Sequence, residues 1–475
     1  MNKDLKNHLF HITETYKTNF SDKFCDIKAI TPAGSNRKYF RITAEKNTVI
    51  AVYSENIAEN ETFLYYTSVF RELNLNVPKI YYVNESKTIY FVEDFGDELL
   101  LNIVEQRCDK EKFSDDLMDL YKKSISALAK MQILSGEEID FSKSFSGEEF
   151  GKQAILMDLS YFKYYFLNVS GITYSENKLQ NDFEKFANYL CRYENKYFMF
   201  RDFQARNIII KNNEAYFIDY QGGRKGFLQY DLASLLYQAK AKIPNNVKEI
   251  LLQHYIDEVR KYIDINKSEF IEEYYYLVYL RILQTLGAYG FRGLIEKRTH
   301  FVESIPYALA NLKDLCQKNP VLEEYCELWK VLSALVNLTK YNRIEYTRLT
   351  VTVTSFSFKK GYPEDKTQNG GGFVFDCRGI SNPGRFEKFK TQTGKDAEVI
   401  AYFKENSNID EFVENAIHIV KPSIEDYLNR NFNSLCVSFG CTGGQHRSVY
   451  CAEKFAKDLL QNFKNIDIFV NHREQ

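Results

Sequence analysis

The stretch FRDFQARNIIIKNNEAYFIDYQ, residues 200–221, constrains this chain more than any other. Asp202 stands five residues before Asn207, the Asn leads straight into the apolar run IIIK, NNE supplies a turn, and FIDYQ with Asp219 closes the unit as a predicted β-hairpin. An acid at the first position can orient or deprotonate an acceptor hydroxyl, and the amide and second acid can hold magnesium on nucleotide phosphates. The D-x4-N spacing alone occurs by chance in many loops; the hairpin that follows it is what makes it specific. Asp202 is the candidate catalytic residue. Asn207 and Asp219 are the candidate magnesium ligands, Asn207 also serving the nucleotide, and Gln221 and Arg224 are close enough in sequence to act on phosphate or substrate. Downstream, YDLASLLYQ predicts a helix with Asp231 as its N-cap.

A chain of 475 residues exceeds one ordinary core and predicts two or three folding units. Its 44% hydrophobic and 27% charged residues are ordinary for a soluble protein, and a net charge of −2 gives no global attraction to nucleic acid. The nine Cys lack paired or metal-like spacing and no secretory leader is evident, which predicts reduced thiols in a cytoplasm. No apolar run is long enough to span a bilayer, so no membrane partner is expected.

Residues 25–97 alternate as strands in KYFRIT, TVIAVY, VPKIYYV and TIYFVEDF, with helical periodicity in ETFLYYTSVFRELNL and in the N-terminal MNKDLKNHLFHITETY. A helix among antiparallel strands is the order of a kinase N-lobe. Residues 98–338 are mainly helical on either side of the catalytic stretch. The texture then changes between Asn337 and Tyr346, and 348–475 reads as a separate α/β domain in which strands such as SLCVSFGC alternate with helices such as HRSVYCAEKFAKDLLQNF. Gly370-Gly371-Gly372 marks a tight loop there.

GSNRKYFRI, IYFVEDFGD, FRDFQARNI, FIDYQ, YDLASLL, LRILQTLGAYGF and IPYALANLKDL together resemble the aminoglycoside- and choline-kinase phosphotransferase family. Within it, residues 10–336 are most similar to bacterial anomeric kinases of N-acetylmuramate and N-acetylglucosamine. The resemblance implies an α+β bilobal protein-kinase-like fold over 1–338, with ATP and magnesium as cofactors and an amino sugar as the small-molecule substrate. It also implies adenine held against the backbone around Glu93 and Phe95. Two residues depart from the pattern. Phe200 stands where the family has His, and Tyr53 stands near the place of the strand lysine that contacts phosphate. Arg37, Lys38 and Arg41 are the cations on neighbouring strands that could supply the missing charge, of which Arg37 and Arg41 are taken as nucleotide-binding; solvated strand-face cations are an equal reading. The two departures keep a second class open, a regulatory or RNA-binding adapter whose kinase fold is silent.

The second concentrated signal is GCTGGQHRSV, residues 440–449, between an apolar strand and a helix. Its glycines let backbone N–H groups approach an anion at a helix N-terminus, and His446 and Arg447 add donors. Cys441 to Arg447, followed by Ser448, also fits the C-x5-R pattern of cysteine phosphatases, with no general acid in evidence. The loop together with VTSFSFKKGYP, FVFDCRGISNPG, TGKDAEVIAYF and the terminal NHRE resembles the C-terminal domain of the RNase adapter RapZ over 348–475. That resemblance implies a phosphorylated amino sugar such as glucosamine-6-phosphate, bound by Arg378, Asn382, Cys441, Thr442, Gly443, Gly444, His446 and Arg447. It also implies self-association and, in some bacteria, RNA binding. Gly384 departs from the pattern, where His is expected. Lys359, Lys360, Lys388, Lys390 and Lys395 are dispersed as solvating lysines are, without an aromatic-basic RNA motif.

Overall fold

The computed structural model of the protein describes residues 3–30, 37–107, 113–192, 196–296, 298–338, 349–363, 372–430, 432, 434–463 and 465–474. The chain divides into two compact units, Met1–Tyr341 and Asn342–Gln475. The segment 339–348, which carries most of the expected boundary, lies outside the described residues, as do the glycine-containing 31–36 and Gly370-Gly371.

The first unit opens with the helix Lys3–Asn19 and an antiparallel sheet of β1 (Phe24–Ile30), β2 (Lys38–Ala44), β3 (Thr48–Tyr53), β4 (Ile80–Val83) and β5 (Ile89–Glu93), in spatial order β1-β2-β3-β5-β4. Period-two alternation sorts the strands into two faces. Phe40, Ile42, Val49, Ala51 and Phe91 pack outward with Ile12 and Tyr16 of the N-terminal helix, which stand one helical turn apart. Val52, Tyr90 and Val92 face inward with the helix Ile57–Glu72 and belong to the large core of the unit. That helix starts where the Asn56 side chain accepts the Glu59 N–H at 3.2 Å.

The rest of the unit is helical, built on Asp115–Glu138 and Lys267–Tyr289, with four short strands set among the helices. β6 (Tyr197–Met199) pairs with β9 (Arg224–Gly226), and β7 (Ile208–Lys211) pairs with β8 (Glu214–Phe217). The β7–β8 turn is Asn212-Asn213, both at positive φ, the pairing that a two-residue hairpin of type I′ requires. This is a bilobal protein-kinase-like α+β fold.

The second unit is a separate α/β domain with a four-stranded parallel sheet. Its strands β10 (Leu349–Ser357), β11 (Phe373–Asp376), β12 (Ser434–Cys441) and β13 (Ile466–His472) lie in the order β11-β12-β10-β13. The helices Ile409–Asn429 and Arg447–Asn462 cover its core. Among the described residues no helix is long and apolar enough to cross a membrane.

Candidate functional site: a catalytic loop and a phosphate-type loop

The loop Phe200–Asn207 runs between β6 and β7. Asp202 is half-exposed, 51% at the side chain, and its contacts are light: Gln204 Nε2 at 3.5 Å and the buried Arg281 guanidinium at 3.6 Å. Asn207 is buried and donates through Nδ2 to the Asp202 carbonyl at 2.9 Å, so its amide oxygen is the atom that could hold a cation. Asp219 lies just beyond β8 at φ +68, and its Oδ1 accepts from Gln221 Nε2 at 2.8 Å. The hairpin thus returns Asp219 beside Asn207, as the Ile218 N–H to Asn207 carbonyl bond of 3.1 Å shows. An amide oxygen and a carboxylate fit a hard cation that draws its other ligands from water and phosphate. Among the described residues there is no cluster of three or more His, Cys, Asp or Glu to hold a metal unaided.

Two expectations for this loop are corrected. Asp231 is not an N-cap: the helix is Leu228–Leu236, Asp231 lies in its first turn, and its side chain is fully buried. Its carboxylate accepts from the backbone N–H of Phe200 at 2.7 Å, that of Arg201 at 2.9 Å, and Gln132 Nε2 at 2.8 Å. Arg201 itself sits at φ +78, so Asp231 holds a backbone that would otherwise relax. Burial pushes the Asp231 carboxyl up to about 7, against the pull of these three donors. Gln221, expected near phosphate or substrate, is buried and bridges Asp219 and Glu59 of the helix Ile57–Glu72, at 2.8 and 3.3 Å. Phe200 is fully buried and fills its place with aromatic contacts, its ring lying 5.4–6.5 Å from those of Phe198, Phe203, Phe217 and Tyr220. Arg224 is partly buried, and burial with the neighbouring Arg201 charge lowers its pKa.

Strand register corrects the readings of Tyr53 and Lys38. Lys38 is opposite Tyr53, Tyr39 opposite Val52 and Arg41 opposite Ile50. Val52 faces inward, so Tyr39, Arg41 and Ile50 share the cleft face, whereas Tyr53 and Lys38 face the N-terminal helix. There the His8 ring lies 4.2 Å from that of Tyr53, and Lys38 Nζ lies 3.1 Å from His8 Nδ1. Tyr53 therefore does not occupy a cleft lysine's place. Arg41 is engaged by Asp94 at 2.6 and 3.0 Å and Asp97 at 2.5 Å, which ties it to the interlobe segment instead of leaving it for phosphate. Glu93 ends β5 and accepts the Lys79 N–H at 3.3 Å; the buried Phe95 ring packs on Tyr216 at 4.3 Å. The Phe95 side chain is turned into the β7–β8 hairpin.

In the second unit the carboxyl ends of the four parallel strands gather Ser357, Asp376, Cys441 and His472, the end of a parallel sheet at which ligands bind. Thr442 and Gly443 are the exposed members of the loop that follows β12. Cys441 Sγ accepts the Gly444 N–H at 3.2 Å and lies 3.2 Å from Ser448 Oγ. Burial raises this thiol, but the Ser448 and glycine donors outweigh it and hold Cys441 below the ordinary thiol value.

The remaining expected ligands are already in use. His446 Nε2 lies 2.8 Å from the Phe389 carbonyl, and a β-carbon on Gly384 would sit 3.4 Å from the His446 ring. Arg447 is buried and donates to the carbonyls of Arg378 at 2.9 Å and Ile380 at 3.1 Å and to Thr442 Oγ1 at 3.3 Å. It therefore pins the facing loop instead of presenting an open fork to an anion. Arg378 pairs with Asp376 at 2.6 Å, and Asn382 Oδ1 accepts the Gly384 N–H at 3.2 Å.

Residues that the sequence reading did not single out also bear on the loop. Ser357 Oγ donates to the Thr442 carbonyl at 2.8 Å, and the side chain of Glu474 packs against Gly444. Of the five lysines, Lys360, Lys390 and Lys395 pair with Glu474, Glu387 and Glu453. Gly444 has φ +72, and an added β-carbon would lie 2.4 Å from Glu474 Cγ and 3.1 Å from the Ser357 amide nitrogen. Gly444→Ala is expected to destabilise the second unit by about 1–3 kcal/mol from the backbone conformation alone. Chemical denaturation followed by circular dichroism measures it, and an unchanged midpoint removes the requirement for glycine.

Residues 26–263 match the phosphotransferase enzyme family, half of the chain. The chain belongs to that family. Residues 349–475 match the RapZ C-terminal domain. A nucleotide-binding protein of Thermotoga petrophila is 37% identical over 124 residues, which is 26% of this chain and 42% of that protein. One from Staphylococcus carnosus is 31% identical over 185 residues, 39% of this chain and 56% of that protein. The chain thus spans only part of the length of these curated relatives. Among solved structures, choline kinase LicA from Streptococcus pneumoniae aligns at 13% identity with a TM-score of 0.44, over 66% of this chain and 99% of its own. A choline kinase from Cryptosporidium parvum Iowa II aligns at 13% identity with a TM-score of 0.44, over 68% and 99%.

Proposed function

We propose that the first unit transfers the γ-phosphoryl group of ATP to a hydroxyl of an amino sugar of the N-acetylmuramate or N-acetylglucosamine type, at the anomeric position. The second unit, in this reading, binds a phosphorylated amino sugar such as glucosamine-6-phosphate. One observation supports the kinase reading: Asn207 is bonded to the Asp202 carbonyl on one side and to Ile218, the residue before Asp219, on the other, and the loop that carries Asp202 is braced by the buried Asp231. The half-exposed Asp202 carboxylate is free to accept a hydrogen bond from an acceptor hydroxyl and take its proton as the O–P bond forms. Asn207 and Asp219 would hold magnesium, which neutralises charge on the phosphates when bound. The amino-sugar assignment rests on the resemblance of the flanking segments, and the sensor assignment on the RapZ-type loop with its exposed Thr442 and Gly443.

Phosphorus NMR of the products from ATP, magnesium and a panel of amino sugars tests the reading. A new sugar-phosphate resonance coupled to an anomeric proton is expected. ATP that stays intact with every sugar refutes it, and a resonance at a non-anomeric position moves the linkage. A silent binding protein is the second reading, favoured by the cleft face of β3, which presents Ile50 and Val52 where a lysine is expected.

A further inference from the structure

Phosphoryl-transfer enzymes of this fold use a cation on the N-lobe sheet, paired with a glutamate on the neighbouring helix, to hold nucleotide phosphates. Here β3 supplies no such cation: Ile50 and Val52 face the cleft and Tyr53 faces away. The adjoining strand does. Arg37 immediately precedes β2, two residues before the cleft-facing Tyr39, and is 2% exposed. Its Nε lies 3.4 Å from Glu59 Oε1, and its Nη2 donates to the Glu59 carbonyl at 3.2 Å. The Phe63 ring, one turn along the same helix, lies 5.8 Å from the guanidinium. Glu59 Oε1 also accepts from Gln221 Nε2 at 3.3 Å, and the same nitrogen donates to Asp219 Oδ1 at 2.8 Å.

Arg37 is therefore joined through Glu59 and Gln221 to the carboxylate that closes the candidate metal site. Tyr39 belongs to the same cluster. Its side chain is hydrogen-bonded to the Arg37 guanidinium. The other cleft-face cation of the strand, Arg41, is held by Asp94 and Asp97.

We propose that Arg37, oriented by Glu59, is the phosphate-contacting cation of the nucleotide site, supplied from β2 instead of β3. This rests on the kinase reading and adds to it the residue that replaces the strand lysine. A guanidinium suits the position, because its planar fork can keep the Glu59 carboxylate on one edge while another edge meets a phosphate oxygen.

The test is calorimetric binding of ATP, ADP and adenosine, with magnesium, to the full chain carrying Arg37→Gln, Arg37→Lys or Glu59→Gln, beside steady-state KM values for ATP and acceptor. Arg37→Gln is expected to weaken ATP and ADP by about 10- to 100-fold, the range of a lost charge-assisted hydrogen bond, with adenosine within about twofold. Arg37→Lys is expected to restore most of the loss, and Glu59→Gln to produce a smaller loss with the same order of ligands. KM for ATP rises while KM for the acceptor does not. Adenosine weakened as much as ATP, or ATP unchanged in Arg37→Gln, overturns the assignment and leaves Arg37 a brace of the helix. Wild-type protein that binds neither ATP nor ADP removes the nucleotide reading itself, and the assignment with it.

Discussion

Asp202→Asn is expected to lower kcat by about 10²- to 10⁴-fold, the range for loss of a positioned general base. KM for ATP and the melting temperature should stay near wild type. The separation follows from the geometry. The side chain is 51% exposed and its polar contacts among the described residues are the 3.5 Å contact with Gln204 and the 3.6 Å contact with Arg281, so the fold loses little when the charge goes. The nearby hydrogen bond that orders the site, Asn207 Nδ2 to the Asp202 carbonyl, belongs to the backbone and survives the substitution. Asparagine keeps the volume and removes the proton-accepting carboxylate, so a fall in kcat with unchanged ATP affinity isolates the chemical step. Coupled-enzyme turnover against ATP concentration, with circular-dichroism melting, measures both. A kcat within tenfold of wild type would sink the assignment of Asp202.

What could be read from residues alone follows the range of the interactions. The β7–β8 hairpin was legible because its signals are local: two apolar runs, an Asn-Asn turn at positive φ, and polar residues at either end. The α/β texture of the second unit was legible for the same reason. Strand faces were not. Tyr53 looked like the occupant of a lysine position because it ends β3, but a period-two strand allots its residues to faces by register, and the pairing with β2 turns Tyr53 to the N-terminal helix. The same rule separates Arg37 and Arg41, on the cleft face, from Lys38, and only the pairing of Arg41 with Asp94 and Asp97 then distinguishes the two arginines. Arg447 reads as an anion ligand by its motif, but its fork is filled by carbonyls of a loop about seventy residues earlier, and no local pattern carries that. The short helix Ala397–Asn406 shows no period in sequence, because its apolar residues run unbroken from Val399 to Phe403.

Asp231 is the largest miss and leads to the second large effect. An acid near the start of an apolar helix reads as a cap, yet its partners, Phe200 and Arg201, are thirty-one and thirty residues upstream. Removing the carboxylate in Asp231→Ala leaves the Phe200 and Arg201 N–H groups without their acceptor inside the core, and leaves Gln132 Nε2 with the Leu228 carbonyl at 3.1 Å in place of two acceptors. At about 1–3 kcal/mol per orphaned buried donor, less the relief of no longer burying a carboxylate, the loss is expected to be about 3–6 kcal/mol. Turnover falls with it, because the backbone that carries Asp202 is no longer held. The single Trp of the chain, Trp329, lies in the first unit, so its fluorescence reports unfolding of that unit alone.

The pH dependence has a definite sign. Burial raises the Asp231 carboxyl from 3.8 to about 7, so between those values the folded state binds a proton that the unfolded state has released. The group's contribution to stability is therefore fully present below about pH 4 and is lost as pH rises through about 7. Asp231→Asn cannot titrate. The stability of wild type relative to Asp231→Asn, taken from Trp329 fluorescence in urea, should decline from pH 5 to pH 8. A difference that is flat or rises over that range would mean that the three donors keep the carboxylate ionised throughout, and that burial does not dominate at this position.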